Sequence, residues 1–189
     1  MSLEDNLVRL RKGDLEALTS LIEHYQDRLF RYLVRLLRQP ASAEDLFQQT
    51  WIRVAERISS YDPRRSFENW LFTVARNLAY DHLRRYQPES LDEPIPSGGS
   101  RLDVLAAAGE SAMDSVLSGE RAVLLANAVE TLPLIYREVL GLRFEEDLKL
   151  EEIADILRIP LSTVKSRLRR ALEELRMMLT DELKDGITT

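Results

Sequence analysis

The chain is 189 residues long, 44% hydrophobic and 31% charged, which gives enough apolar material for a real core in a length that suits two small domains. It has no cysteine, which excludes disulfides and thiolate chemistry and makes a cytoplasmic setting the expectation. The N-terminal stretch MSLEDNLVRLRKGD carries acids early and no long apolar run, so neither a signal peptide nor membrane insertion is expected.

A net charge of −6 sits awkwardly with nucleic-acid binding until it is divided along the chain. Residues 1–86 carry 14 Lys/Arg against 12 Asp/Glu, residues 87–119 carry 1 against 6, and residues 120–189 carry 11 against 14. The excess acid is concentrated in the middle. In the last segment Lys165, Arg167, Arg169 and Arg170 fall inside six positions, so a local basic patch is possible on an acidic chain.

In chain order, a short amphipathic helix is predicted to end at Gly13, with Asp14 capping a second that runs to about Arg38. Leu15, Leu18, Ile22, Tyr25, Leu29, Leu33 and Leu36 line one side of that second helix. Pro40 breaks the pattern, and Ser42 with Asp45 resembles a capping box opening a third helix to about Ser59. Its buried side would use Leu46, Phe47, Thr50, Val54 and Ile58. Asp45, Gln48, Gln49 and Arg53 point elsewhere, a pattern that on its own reads as a solvated face.

After the loop Ser60-Tyr61-Asp62-Pro63-Arg64-Arg65, Ser66 is a good N-cap for a helix from Phe67 to about Arg85. Leu71, Val74, Ala75, Leu78 and His82 form its apolar stripe. Trp70, Thr73, Asn77, Tyr80, Asp81 and Arg84 follow helical spacing on the opposite side, flanked by Arg76 and Arg85. Eight of the chain's 13 aromatics lie between Phe47 and Tyr86. Phe47, Trp51 and Phe72 are expected in the core, whereas Tyr61, Phe67 and Trp70 flank an Arg-Arg loop and suit unstacked bases, each stack being worth roughly 1–3 kcal/mol.

Residues 87–119 contain Pro88, Pro94, Pro96 and Gly98-Gly99, then a weaker apolar stretch that is a candidate helix. Thirty-three residues reach at most about 110 Å at about 3.3 Å each. Two turns of duplex span about 70 Å, so this acidic tether could let two domains sit that far apart. A plain disordered spacer is the alternative.

The stretch LEEIADILRIPLSTVKSRLRRALEEL, residues 150–175, reads as two helices around a tight turn at Arg158-Ile159-Pro160. Ile153, Ala154 and Leu157 recur in the first helix; Val164, Leu168, Ala171, Leu172 and Leu175 recur in the second. Ala154 and Val164 would lie at the crossing, as a helix-turn-helix requires. Ser162, Thr163, Lys165, Ser166, Arg169 and Arg170 would form a surface able to donate to guanine edges and phosphates. A helical hairpin with a solvated basic face is the alternative. Arg158 stands where glycine would most easily take positive φ, and Lys149 where a capping Ser or Thr is usual.

Taken together, AEDLFQQTWIRV (43–54), SFENWLFTVARNLAYDHLRR (66–85), LPLIYREVLGLRF (132–144) and EEIADILRIPLSTVKSRLRRAL (151–172) resemble the conserved regions of bacterial RNA polymerase sigma factors. The two-domain length resembles the extracytoplasmic-function (ECF) group. The resemblance implies an all-α protein of two small helical domains joined by a flexible acidic linker. Residues 1–86 would be a region 2 domain, 87–119 the linker, and 120–189 a region 4 domain containing the helix-turn-helix.

It also implies roles. Asp45, Gln48, Gln49 and Arg53 match the segment that grips the polymerase clamp helices, with Gln49 where the family often has Glu. Arg64, Arg65, Ser66 and Phe67 match the loop that captures a base flipped from the minus-ten element. Trp70, Arg76, Asn77, Asp81, Arg84 and Arg85 match the helix that supports melting. Ser162, Thr163, Lys165, Ser166, Arg169 and Arg170 match the face that reads the minus-thirty-five element. The implied partners are core RNA polymerase, promoter DNA as duplex and melted strand, and an anti-sigma factor; no cofactor or metal is expected.

Two rivals start from the same residues. A dimeric helix-turn-helix regulator would need an effector or receiver domain, for which residues 1–86 give no pattern. An enzyme would need a nucleophile, metal cluster or phosphate loop, and the only histidines, His24 and His82, fall on helical patterns without partners.

Overall fold

Among residues 2–86 and 112–185, which the computed structural model describes, every regular element is a helix. Side-chain surroundings in the second block are described for residues 122–180. The expected tether from residue 87 to residue 111 lies outside the described residues. The first helical element of the second block opens at Ala112, inside the stretch read as linker.

Helix α1 (Leu3–Arg11) starts on a true capping box: the Asp5 amide donates to Ser2 Oγ (3.1 Å) and the Ser2 amide donates to the Asp5 carboxylate (3.0 Å). Gly13, at φ 89°, turns the chain out of it. Asp14 accepts from the Glu16 amide (3.1 Å) and pairs with Arg9 (2.6 Å), so it braces the turn rather than occupying the N-cap. Helix α2 (Glu16–Leu37) therefore begins past Leu15, which is 66% exposed and outside the buried stripe where the periodicity put it. Leu21, Tyr25, Leu29, Tyr32, Leu33, Leu36 and Leu37 make that stripe.

Helix α3 (Pro40–Arg57) corrects a second boundary. Pro40 is its first residue, where a missing N–H costs nothing, and the Ser42 hydroxyl donates to the Gln39 side chain (3.2 Å). The capping box expected at Ser42 and Asp45 is not formed. Leu46, Thr50, Trp51 and Val54 are buried, and a 3-10 turn at Ile58–Ser60 closes the element. Helix α4 (Phe67–Tyr86) buries Phe67, Leu71, Phe72, Ala75, Ala79 and Leu83 against α2 and α3. Val74, Leu78 and His82 are only half-buried. The stripe is rotated from the predicted one because α4 packs against α2, α3 and α7 at once.

The C-terminal helices are α5 (Ala112–Thr131), α6 (Leu134–Leu140), α7 (Leu150–Leu157) and α8 (Leu161–Asp185), with a π turn at Gly141–Glu145 after α6. Pro133 precedes α6, and Tyr136 and Arg137 accept no exposure to speak of. Ala128, Leu132, Tyr136, Leu140, Ala171 and Leu175 form a core of their own where α5, α6 and α8 meet. The other face of this module does not end in solvent. Leu134, Val139, Leu142, Leu148, Ile153, Ile156 and Leu157 are continuous with the core of α1–α4, and α7 packs directly on α4. Fully burying each such side chain is worth about 1.5–3 kcal/mol, so the two modules are held by a substantial apolar seam.

Candidate nucleic-acid interface

The helix-turn-helix forms as the pattern predicts. Ile153 and Val164 are fully buried and lock α7 to α8, while Ala154 is half-buried at the crossing. Arg158 takes the left-handed conformation (φ 54°), and the Ile159 amide reaches back to the Ala154 carbonyl (3.2 Å). A non-glycine residue there costs roughly 1–2 kcal/mol, which the α7–α8 packing offsets. In place of a capping hydroxyl, the Glu152 carboxylate accepts from the Lys149 amide (2.8 Å). Pro160 accepts from the Thr163 and Val164 amides, so it caps α8 from just outside.

On α8, Ser162 and Lys165 are exposed, and Thr163, Ser166, Arg169 and Arg170 are half-exposed. Ser166 spends its hydroxyl proton on the Thr163 carbonyl (2.9 Å), leaving its lone pairs outward. Arg169 lies 3.6 Å from Glu173 one turn on, with 20% of its side chain exposed. The six predicted residues thus share one accessible helix surface.

The loop before α4 is tightly built. Asp62 accepts from the Arg64 amide through its side chain (3.0 Å) and from the Arg65 amide through its carbonyl (3.0 Å). The Tyr61 hydroxyl donates to the Arg65 carbonyl (2.6 Å), and the Ser66 hydroxyl accepts from the Asn69 amide (3.3 Å) at the start of α4. Arg64, Arg65 and Ser66 are exposed. Tyr61 and Phe67 are buried, with ring centroids 5.6 Å apart edge to face, and Trp70 leans on both. The expectation that Tyr61 and Phe67 offer free faces for stacking is therefore corrected: they form the floor under the loop, and only Trp70 retains a partly open face.

Along α4 the predicted residues divide. Asn77, Asp81, Arg84 and Arg85 are exposed, with Arg84 and Asp81 paired at 3.3 Å. Arg76 is turned the other way, toward α6. Its Nε donates to Glu138 (2.8 Å), and its guanidinium lies over the Tyr80 ring at 4.1 Å. On α3, Asp45, Gln48, Gln49 and Arg53 are all exposed beside Ile52, which is 59% exposed, so this side holds apolar as well as polar contact area.

Sequence reasoning missed the residues that Arg76 meets. The Glu138 side chain is fully buried and accepts from Arg76, from the Tyr80 hydroxyl (2.7 Å) and from the Tyr32 hydroxyl (3.1 Å). Burial first, and the Glu138 charge second, hold both phenols well above the ordinary tyrosine range, so they stay protonated and donate. Nearby, Arg28 donates to the Glu146 carboxylate (2.6 Å) and carbonyl (3.1 Å) and also binds Glu68. Burial pushes the Glu146 carboxyl above the usual range, with Arg28 only partly opposing it. A signal existed: Arg137-Glu138 is a charged dipeptide inside the apolar run LPLIYREVLGL, and buried charges need partners.

Residues 21–89 match the model of sigma-70 region 2, and residues 122–175 match that of sigma-70 region 4. Full-length relatives agree. The ECF sigma factor SigW of Bacillus subtilis is 33% identical over 96% of this chain and 98% of its own length. The RNA polymerase sigma-H factor of Pseudomonas aeruginosa is 28% identical over 94% of each chain. Among solved structures, CnrH in complex with the cytosolic domain of CnrY superposes with a TM-score of 0.66 at 20% identity, covering 93% of this chain and 96% of that one. RpoE of Bartonella quintana in complex with the anti-sigma factor NepR gives 0.63 at 23% identity, covering 86% and 96%. These two share its all-α, two-module fold. The chain belongs to the ECF group of sigma-70 RNA polymerase sigma factors, alternative sigma factors that direct the polymerase to its promoters. No helix among the described residues is long and apolar enough to cross a membrane.

Proposed function

We propose that this sigma factor divides promoter recognition between its two modules, taken as residues 1–86 and 120–189 with the acidic segment 87–119 between them. Ser162, Thr163, Lys165, Ser166, Arg169 and Arg170 read the minus-thirty-five element as intact duplex. Arg64, Arg65 and Ser66 capture a base flipped from the minus-ten element, with Phe67 anchoring the loop from below. Trp70, Arg76, Asn77, Asp81, Arg84 and Arg85 hold the edge of the opened segment. Asp45, Gln48, Gln49 and Arg53 grip the polymerase.

The observation that carries this reading is the exposed triplet Arg64-Arg65-Ser66 on a loop fixed by Tyr61 and Asp62. Donors held in place lose little freedom when they bind, so their contact energy goes into opening DNA. Each base-pair step costs on the order of 1.4 kcal/mol in stacking, so trapping one or two bases is enough to nucleate melting. The chain supplies binding energy and no covalent step; RNA synthesis belongs to the polymerase, and the work is done in the cytoplasm.

An anti-sigma factor that covers these surfaces completes the proposal; RpoE of Bartonella quintana is solved in complex with an anti-sigma factor, NepR. Run-off transcription with purified core polymerase and a randomised promoter library tests the whole reading. Two short enriched blocks about two duplex turns apart are expected. Enrichment of a single palindrome, bound without polymerase, would overturn it in favour of a dimeric regulator.

A further inference from the structure

Among the described residues, three that are not glycine hold a left-handed backbone: Arg38 (φ 56°), Asp147 (φ 51°) and Arg158 (φ 54°). That conformation crowds any side chain, so each position calls for a reason why glycine is absent. In two of them the side chain supplies it. Arg38 pairs with Glu130 (3.5 Å) and Asp147 lies 3.6 Å from Arg143, so both are used inside the protein. Arg158 is different. Its amide donates to the Ala154 carbonyl, as that of a glycine would, but its exposed guanidinium has no hydrogen bond or ion pair among the described residues. Asp155, one turn back on α7 and also exposed, forms no ion pair with it. The α7–α8 packing tolerates the strain without requiring an arginine.

The place of Arg158 indicates what the charge meets. It stands at the corner of the helix-turn-helix, and Pro160, Ser162 and Lys165 beyond it are exposed, so the accessible surface of α8 runs back into the turn. In this motif the second helix enters the major groove by its N-terminal residues while the first crosses the backbone. The corner between them therefore passes close to a phosphate, whose anionic oxygens match the N–H donors of a guanidinium. Attraction to the C-terminal end of the α7 dipole is the competing use of the charge, and it would act on stability alone.

We infer that Arg158 is a phosphate anchor of the helix-turn-helix, gripping the DNA backbone beside the minus-thirty-five element. It adds to the six α8 residues a contact that fixes how α8 sits in the groove and carries no sequence preference of its own. The strained backbone is kept because binding, not folding, uses the side chain. This rests on the minus-thirty-five reading of α8, and the experiment separates the two.

The full chain is titrated against a short duplex carrying the upstream block enriched from the promoter library, with anisotropy read at about 50 and 200 mM potassium chloride. Arg158→Gly relieves the backbone and removes the charge. Its urea midpoint is expected to rise while DNA affinity falls, by the same factor on matched and mismatched duplexes. One lost phosphate contact makes the salt slope shallower by about 0.9, so the penalty at the lower salt should exceed that at the higher by about 3.5-fold. Arg158→Lys keeps the charge and is expected to keep the slope. A neutral methylphosphonate placed at each backbone position in turn is expected, at the contacted one, to weaken the unaltered chain and leave Arg158→Gly unaffected.

Equal affinity and slope in Arg158→Gly overturn the inference and leave the charge to the α7 dipole. A loss confined to the matched duplex also overturns it, since Arg158 would then read a base, as does a backbone scan that weakens both chains alike at every position. If Arg169→Ala still lowers discrimination when Arg158→Gly has no effect, the minus-thirty-five reading stands without Arg158. If neither has an effect, both fall.

Discussion

Helices α4 and α8 each carry arginines at helical spacing on a surface suited to nucleic acid, yet the structure treats them differently. On α8, Arg169 pairs with Glu173 one turn on with 20% of its side chain exposed, and the surface with Ser162 and Lys165 stays accessible. On α4, Arg76 is covered by a residue more than sixty positions away, held at 2.8 Å in a fully buried site. The same residue type at similar spacing is thus ready in one helix and masked in the other. Availability is decided by what packs on a helix, which its own sequence does not contain.

The largest test of this contrast is removal of the mask. Glu138→Ala leaves Arg76 buried and unpaired, for which a loss of about 3–5 kcal/mol is expected. Urea unfolding of the full chain should show a clearly lower midpoint, and an unchanged midpoint would mean that the pair contributes nothing to closure. Next come the accessible arginines. Arg169→Ala and Arg170→Ala should each cost about 1–3 kcal/mol of discrimination at the upstream element. That is read as a run-off ratio between matched and mismatched promoters, and equal ratios would remove α8 from base reading.

A smaller effect is expected under the minus-ten loop. Tyr61→Phe keeps the ring and loses the bond to the Arg65 carbonyl, worth about 0.5–1.5 kcal/mol. Permanganate footprinting should show weaker opening at the same promoter, whereas an identical footprint would make the hydroxyl incidental. Smallest in stability is charge reversal at Asp45 or Arg53, both exposed, where changes within about 0.5 kcal/mol are usual. Polymerase pull-down should nevertheless weaken, and normal retention would return that side of α3 to plain solvated surface.

Much of the architecture was legible because it is local. The helix-turn-helix is legible in Ile153, Ala154 and Val164, and Arg158 stands in a position that favours glycine and takes positive φ. Boundaries failed where two local rules competed. Ser42 and Asp45 fit a capping box, but Pro40 two residues earlier fits a first helical turn, and the chain used the proline. Leu15 fitted the apolar period but falls before the helix starts.

The candidate site was legible in its residue types and less so in their exposure. Tyr61 and Phe67 beside two arginines look like stacking platforms, but their burial depends on how they meet each other, Trp70 of α4 and Tyr25 of α2. Glu138 was hidden for the same reason. Its three partners, Tyr32, Arg76 and Tyr80, belong to helices far away in sequence, so no window of the chain contains the constellation.

The uniform polarity of the seam has a consequence for how the protein responds to its ionic surroundings. Added counterions weaken contacts to DNA phosphates, and ordinarily the logarithm of affinity falls in proportion to the number of phosphates neutralised. Here the same ions also screen the partly exposed pairs Arg35–Glu145 and Arg38–Glu130, so the rim of the seam loosens as salt rises while the buried Arg76–Glu138 pair holds. A titration with potassium chloride should therefore weaken DNA binding and loosen the rim of the seam together, the second read as a fall in the urea midpoint.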